Sequence, residues 1–556
     1  MTAAPATTDP TTGPGEVRTV SLVSLGCPKN LVDSEKMLGL LAEDGLVPVS
    51  ADDASGGEHD DLSVSGSEQD SSAAGGRITP ADAVIVNTCG FLEASKQESL
   101  GVIHEAIEAK ARGEVKRVVV AGCLVQRHRA KMLEWAPGID AMVGVFDRDK
   151  VIEAVRGPAA PAERPGSMLE ASDKPAYWVS ANALVKAGST GRDVTGLTVH
   201  GKDGRGIGYF ESDAARLRLT PRHYAYLRIS EGCNQACAFC TIPSIRGKMR
   251  SKREADVVAE ARELLRDGAF ELLLIGQDTT SYGDDIGTGA AAQAGLPRLL
   301  SALSDAVAEE AGSGWLRLMY AYPSTFTDDT IDAFAKLVER GRLLPYIDIP
   351  LQHASDDMLS AMRRHVSAET QRSLCHALRE RIPGMAIRTT FITGFPGETE
   401  ADHEELLGFI DEVGFDAVGV FRFSPEPGTP AARMDADADL HVPEDVKLRR
   451  HAEIMEVQQR IAFEQAEFVA EQFDPEQPLE SGCRFDVLID QPGDDGVHVG
   501  RTYFQAPQID PITYVQSDRR PSPGELVRCV VTGSDGYDLM ARPVESLERR
   551  VSLSIL

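Results

Sequence analysis

Between residues 17 and 155, short apolar runs alternate with stretches of helical period. Three runs stand out: Val20–Leu25, Ala83–Val86 and Val118–Ala121. Helix-like segments such as Leu31–Ala42 and Ala94–Ala111 follow them. Compact apolar runs separated by amphipathic helices predict a parallel α/β sheet covered by helices. A second periodic region opens near Pro221, with six strand candidates: Tyr224–Ser230, Glu271–Gly276, Leu316–Tyr322, Tyr346–Leu351, Ala386–Gly394 and Ala417–Phe423. Helical patterns lie between them, among them Glu254–Arg266, Asp328–Arg340 and Glu400–Glu412. Six consecutive βα units predict an incomplete (βα)6 barrel, which builds its site at the C-terminal ends of the strands. The amphipathic stretch Pro443–Phe473 predicts a connecting helix. Beyond it, Phe485–Ile489, Thr502–Phe504 and Glu525–Val531 are β-like runs broken by Gly, Pro and Asp, the pattern of a small β-barrel.

These patterns divide the chain. Residues 1–16 read as disordered and 17–155 as an N-terminal α/β domain. Within the latter, Ala51–Gly76 is rich in Ser, Gly and acids, which predicts an acidic disordered insertion over 51–78. Residues 156–218 read as a linker or surface excursion, 219–442 as the barrel, 443–475 as the connecting helix and 476–550 as the small β-barrel.

Composition narrows the classes. A length of 556 residues suits about three domains, and 42% apolar residues can fill their cores. No run is long and apolar enough to span a membrane, and the Thr-, Ala- and Pro-rich start lacks the form of a signal peptide. A cytoplasmic protein with no membrane attachment is the expectation. In a reducing compartment the nine cysteines point to metal or redox chemistry rather than disulfides. The net charge of −29 favours a basic partner over a polyanion, unless a local basic patch overrides it.

The strongest chemical signal is Glu231-Gly-Cys-Asn-Gln-Ala-Cys-Ala-Phe-Cys240. Cys233, Cys237 and Cys240 have CxxxCxxC spacing and begin where the first barrel strand ends. Three thiolates can bind three irons of a four-iron cluster and leave the fourth iron open. A zinc site normally wants a fourth ligand nearby, and the next histidine is His353.

A second set is dispersed. Cys27, Cys89 and Cys123 follow the three apolar runs, in the contexts Leu-Gly-Cys27, Asn-Thr-Cys89 and Ala-Gly-Cys123. Ends of neighbouring strands lie about 5 Å apart, so these thiols should converge at the sheet edge where such folds bind ligands. A lone buried cysteine is usually a small hydrophobe; three at equivalent strand ends suggest another cluster. Cys375, Cys483 and Cys529 show no pattern and read as structural.

The CxxxCxxC motif with an aromatic, Phe239, before its last cysteine resembles the radical S-adenosylmethionine (SAM) superfamily. That resemblance implies that SAM chelates the open iron and is cleaved to a 5′-deoxyadenosyl radical. It places the methionine amine near Gly276-Gln277-Asp278, although strand-end polarity alone also accounts for Gln277. Arg246 or Arg250, in a basic run, is a candidate for the SAM carboxylate or part of a solvated loop. With the second cysteine set, the chain resembles the methylthiotransferase family, in which an N-terminal cluster domain and a radical SAM barrel precede a TRAM barrel of OB-like form. This implies two 4Fe-4S clusters and SAM as cofactors, one SAM giving a methyl group and another the radical that abstracts hydrogen.

The family modifies either an adenosine in tRNA or the β-carbon of an aspartate in the twelfth small-subunit ribosomal protein. Asp348-Ile-Pro-Leu-Gln-His-Ala-Ser355, Met362-Arg-Arg364, Arg388–Glu398 and Gly500-Arg-Thr-Tyr-Phe-Gln-Ala-Pro507 resemble the ribosomal-protein branch. From Arg484 to Arg550 there are eight Arg, no Lys and eleven acidic residues. A barrel gripping tRNA should be basic; an acidic one suits a basic ribosomal protein or the assembled small subunit. A cellular electron donor is also implied. The tRNA enzyme is the alternative. A non-catalytic iron–sulfur sensor of ribosomes is a further one, and a radical SAM methyltransferase would not need Cys27, Cys89 and Cys123. The acidic insertion could assist docking or be dispensable, and His353 could act near the substrate or be held by structural hydrogen bonds.

Overall fold

A computed structural model describes residues 17–50, 78–157, 178–179, 191–194, 197–200, 213–287 and 295–553. The expected disordered start, nearly all of the acidic insertion and most of the 156–218 linker lie outside the described residues. The chain forms two compact units. The first holds the described residues up to Leu219 together with Ser244–Arg246, and the second holds the rest from Thr220 onward.

The first unit is a six-stranded parallel sheet of β1 (Thr19–Ser24), β2 (Val47–Pro48), β3 (Ala83–Thr88), β4 (Arg117–Gly122), β5 (Ala141–Val143) and β6 (Trp178–Val179). Its order is β2-β1-β3-β4-β5-β6. The three apolar runs are the central strands. Val84, Val86, Val118 and Val120 face one core, against Val102 and Ile103 of the helix Glu93–Ala111. Ala83, Ile85, Val119 and Ala121 face the other, against Met37 and Leu41 of Pro28–Glu43. Burial on both faces explains why these strands read as continuous apolar runs. The sequence pattern missed the short β2 and β5. Residues 178–179, within the expected linker, supply the sixth strand. A hairpin of β7 (Gly191–Val194) and β8 (Leu197–His200) also comes from that stretch.

The second unit begins with β9 (Tyr224–Arg228), then an antiparallel pair of β10 (Ser230–Glu231) and β11 (Arg250–Ser251). The barrel continues through β12 (Glu271–Ile275), β13 (Trp315–Leu318), β14 (Leu343–Asp348), β15 (Ala386–Thr393) and β16 (Ala417–Arg422). The parallel order β16-β15-β14-β13-β12-β9 is the expected incomplete barrel. The connecting helix runs from Glu444 to Glu471. Its Ile454 and Ile461 join the barrel core, and Ala466 packs with Val531 and Leu539 of the next barrel.

That small barrel closes in the order β17-β18-β19-β21-β20, with β17 (Arg484–Gln491), β18 (Val497–Arg501), β19 (Thr513–Gln516), β20 (Leu526–Asp535) and β21 (Asp538–Pro543). Thr502–Phe504, expected as a strand, is a turn. The strand ends at Arg501, and Gln505 Oε1 accepts from the Thr502 backbone N–H at 2.9 Å. The aromatic residues gave a β-like reading, yet Tyr503 packs tilted and Phe504 edge-on against Phe485 rather than in a ladder.

This turn seals the N-terminal end of the (βα)6 barrel. Glu271, at the start of β12, is fully buried and accepts from Arg317 at 2.6 Å and from Arg501 at 2.7 Å. Arg501 also grips Asp490 at 2.7 Å, and Asp490 accepts from or pairs with His223 at 2.7 Å. Asp510 bridges Tyr346 at 2.8 Å and Arg388 at 3.1 Å. Burial alone would raise the Glu271 pKa; the two guanidiniums reverse this and hold it below its ordinary value. Removing one partner of such a network strands a buried charge. Arg501→Met should therefore cost about 3–5 kcal/mol in denaturant unfolding of the full chain. The stabilisation held by Glu271 should be complete above its ordinary pKa near 4.5 and be lost as pH falls below it. A loss under about 1 kcal/mol in Arg501→Met, the scale of a surface pair, would show that the network does not hold the two barrels together.

Candidate functional site

Cys89 and Cys123 immediately follow β3 and β4, and Cys27 lies three residues past the end of β1, the third of these adjacent strands. Cys27 is the N-cap of the helix Pro28–Glu43, and Cys123 opens the helix Cys123–His128. Helix N-termini favour negative sulfur. The loops are drawn tightly together. Gly26 has φ +91°, and a Cβ there would lie 2.7 Å from the Cβ of Cys89. Gly122, at φ +96°, would place a Cβ 2.4 Å from Asn87 Oδ1. The glycines before Cys27 and Cys123 are thus required by backbone conformation and by space.

Amide side chains fix these loops. Asn30 donates to the Leu25 carbonyl at 2.6 Å and to that of Asn87 at 3.2 Å. Asn87 donates in return to the Asn30 carbonyl at 2.8 Å and to Ser34 Oγ at 2.7 Å. Burial pushes the Cys123 thiol up to about 12, against the pull of Arg246 and with further repulsion from Cys89 and Cys27. Burial, then Cys27, raises Cys89 as well. Arg246 lies among them: its guanidinium donates to Asp33 at 2.9 Å, and Asp33 also accepts from Arg148 at 2.6 Å. The candidate partner for the SAM carboxylate is therefore engaged by a carboxylate of the first unit.

In the second unit, Cys233, Cys237 and Cys240 lie on the loop after β10. The Cys233 amide donates to the Gly247 carbonyl at 3.2 Å, and Ala238 N–H to the Met362 carbonyl at 2.9 Å. Phe239 packs against a cluster containing Ala238, Met362 and Phe395. Burial pushes Cys233 and Cys240 up to about 12, so each thiol releases a proton on ligating iron. Asp278 ties the end of β12 to this loop, accepting from Gln235 at 2.9 Å. Gly276 is held so close that a Cβ would lie 2.5 Å from Ser230 Oγ. Gln277 donates to Glu231 at 2.8 Å.

The rim around this loop carries unmet polar capacity. Ser230 Oγ, Gln277 Oε1, Gln352 Oε1, His353 Nε2 and Arg364 Nε are buried without a hydrogen-bond partner. Buried polar atoms are normally satisfied, so these five could accept or donate to a bound ligand. Backbone strain collects there too: Tyr320, Gln352, Arg363 and His365 have φ between +49° and +76°. His353 is fully buried, and its Nδ1 accepts from the Ser355 amide at 3.0 Å, which is the structural reading of that residue. Arg250 donates to the Lys248 carbonyl at 2.9 Å. Cys375 and Cys529 are buried as expected of structural cysteines, and Cys483 is partly exposed.

Among the described residues, no group of His, Cys, Asp and Glu is arranged around a single metal ion. A four-iron cube is larger than an ion and needs its thiolates at separate corners, so that absence and two three-thiol sets are compatible.

Comparison with known proteins agrees with this division. The radical SAM superfamily matches residues 227–410, the TRAM domain 482–544, and the uncharacterized protein family UPF0004 residues 65–144. The ribosomal protein uS12 methylthiotransferase RimO of Desulforamulus reducens is 36% identical over 94% of this chain and 98% of its own length. That of Anaeromyxobacter sp. is 38% identical over 94% of this chain and 93% of its own. The chain belongs to the uS12 methylthiotransferase family. In this family member the radical SAM match contains Cys233, Cys237, Cys240 and Gln277, and the UPF0004 match contains Cys89 and Cys123.

The sequence reading of the methylthiotransferase site missed Asn30, Asn87 and Asp33. Asn87 carried a signal, a polar residue ending an apolar run. The others make contacts too distant in sequence for any local pattern. If both sets hold clusters, anaerobic reconstitution should load about eight irons per chain, and the Cys27→Ala/Cys89→Ala/Cys123→Ala variant about four. Equal iron in the two proteins would remove the first centre.

Proposed function

We propose that this protein is a radical SAM methylthiotransferase that adds a methylthio group to the β-carbon of an aspartate in the twelfth protein of the small ribosomal subunit. The observation that carries this reading is the second cysteine set. A radical SAM enzyme that only abstracts hydrogen needs one open cluster, whereas Cys27, Cys89 and Cys123 offer another centre able to hold sulfur. When bound, the two 4Fe-4S clusters and SAM supply radical generation and the methylthio unit.

The protein's own residues orient and enclose. Cys233, Cys237 and Cys240 hold one cluster against the apolar wall that includes Phe239. Gly276 brings the end of β12 close to Ser230, and Gln277 Oε1, otherwise unsatisfied, would accept from an N–H of the SAM amine. Arg246 lends positive charge to the thiolates of Cys89 and Cys123 rather than serving the SAM carboxylate.

Substrate electrostatics support a protein over RNA. Four of the eight arginines between Arg484 and Arg550 are committed to carboxylates. Arg501 is buried, while Arg519, Arg520 and Arg528 pair with Glu525, Asp494 and Asp486. A surface so neutralised offers little to a phosphate backbone and suits a basic ribosomal protein, free or in the small subunit. No described helix is long and apolar enough to cross a membrane, and a cytoplasmic location with a cellular electron donor completes the reading.

Mass spectrometry of uS12 and of tRNA from cells lacking the gene tests it. The aspartate of uS12 should lose the methylthio increment and regain it on complementation with the wild-type gene but not with Cys123→Ala, while tRNA stays unchanged. Loss confined to tRNA would assign the enzyme to the adenosine-modifying branch.

A further inference from the structure

Seven arginines are buried among the described residues. Six of them, Arg148, Arg228, Arg246, Arg317, Arg450 and Arg501, hold a carboxylate. Arg364 does not. Only 4% exposed, it donates to the Pro350 carbonyl at 2.5 Å and to the sulfur of Cys237 at 3.5 Å. Its guanidinium lies 4.2 Å from the Tyr322 ring centre, and its Nε has no partner. A guanidinium stays charged at any physiological pH, and a buried charge without a counter-ion is costly. A carbonyl, a ring face and a neutral thiol do not supply a full negative charge.

The backbone holds Arg364 in this place under strain. Arg363 and His365 on either side have φ +59° and +49°, and the Arg364 amide donates to the Leu359 carbonyl at 2.9 Å. Such strain persists only where the surroundings over-determine it. The missing anion is at hand: Cys237 is one of three thiols which, once they ligate iron, become thiolates of a cluster with net negative charge.

We propose that Arg364 is the buried counter-cation of the cluster held by Cys233, Cys237 and Cys240, and that its hydrogen bond to the Cys237 sulfur raises that cluster's reduction potential. Each added electron makes the cluster more negative, so an adjacent fixed cation stabilises the reduced form more than the oxidised one. Hydrogen bonds to cluster sulfurs and local charge are among the levers that set such potentials. Arg364 is thereby a positioning and tuning residue, not one that touches the reacting carbon.

The inference rests on the reading that these cysteines hold a four-iron cluster. A parent protein without iron at this site would overturn that reading before Arg364 is tested. The full-length chain carrying Cys27→Ala, Cys89→Ala and Cys123→Ala isolates this one cluster. Its reduction by dithionite is followed by electron paramagnetic resonance at controlled potential, without SAM, so that cofactor binding cannot contribute. Adding Arg364→Met should lower the reduced-to-oxidised ratio at a fixed potential at least tenfold, equivalent to about 59 mV for one electron. Arg364→Lys, which keeps the charge, should stay within threefold of the parent. A parental ratio in Arg364→Met would reduce Arg364 to a packing residue. If Arg364→Met holds too little iron to titrate, retention of iron by Arg364→Lys supports the charge role, and its loss there too overturns it.

Discussion

The buried carboxylate of Glu271, held between Arg317 and Arg501, is the constraint on which the second unit depends. Glu271 opens β12 and Arg317 lies in β13; Arg501 of the small C-terminal barrel binds Glu271, and Arg317 donates to the Tyr503 carbonyl in the turn that follows Arg501. An ion pair this deep is stable only if its charges are mutually satisfied, since each has left water. Here one carboxylate faces two guanidiniums, and Asp490 takes up the remaining charge of Arg501. The small barrel is therefore a plug in the base of the larger one, and Gly500–Pro507 is a structural motif before it is anything else.

The same strands carry the site at their other end. Just past its end at Ile275, β12 gives way to Gln277 and Asp278, which meet Glu231 and the cysteine loop. β13 leads into Tyr320, at φ +60°. Four of the described non-glycine residues at positive φ, and five buried polar atoms without a partner, lie at this rim. Each costs free energy, on the order of 1–3 kcal/mol for a strained residue. Cohesion at the base offsets that cost, and the separation of roles along one strand is what lets a stable barrel keep an unsatisfied rim.

How much of this was legible in the sequence follows from the range of each interaction. The placement of Cys27, Cys89 and Cys123 beyond the ends of three adjacent strands could be expected because a parallel sheet turns similar positions along the chain into neighbours in space. The alternation of Ala83, Val84, Ile85 and Val86 between two cores could be expected for the same reason. Other features depend on pairing across hundreds of residues. Arg501 meets a carboxylate 230 positions away, and nothing around it announces that. Thr502–Phe504 looked like a strand because aromatic residues favour strands; the tertiary pull of Arg501 and the Gln505 cap turned it instead. The strand at 178–179 was hidden because two residues surrounded by linker composition make no periodic pattern.

Charge shows the same limit most sharply. The total of −29 and the eight arginines of the small barrel are properties of composition, and composition does not say which charges face water. Arg501 is spent inside the protein, and three exposed arginines are matched by nearby acids, so the positive field left for a polyanion is smaller than the count implies. Arg364 presents the converse case. It adds one cation to the formal sum but is buried beside a cysteine that the sum treats as neutral. On the proposed reading, that cysteine and its two companions would reverse the local balance once deprotonated and bound to iron, and the guanidinium that looks unpaired in the protein alone would be one half of an ion pair completed by the metal centre. Electrostatic inference from sequence is thus safest for surfaces and weakest where cofactor charge is part of the fold.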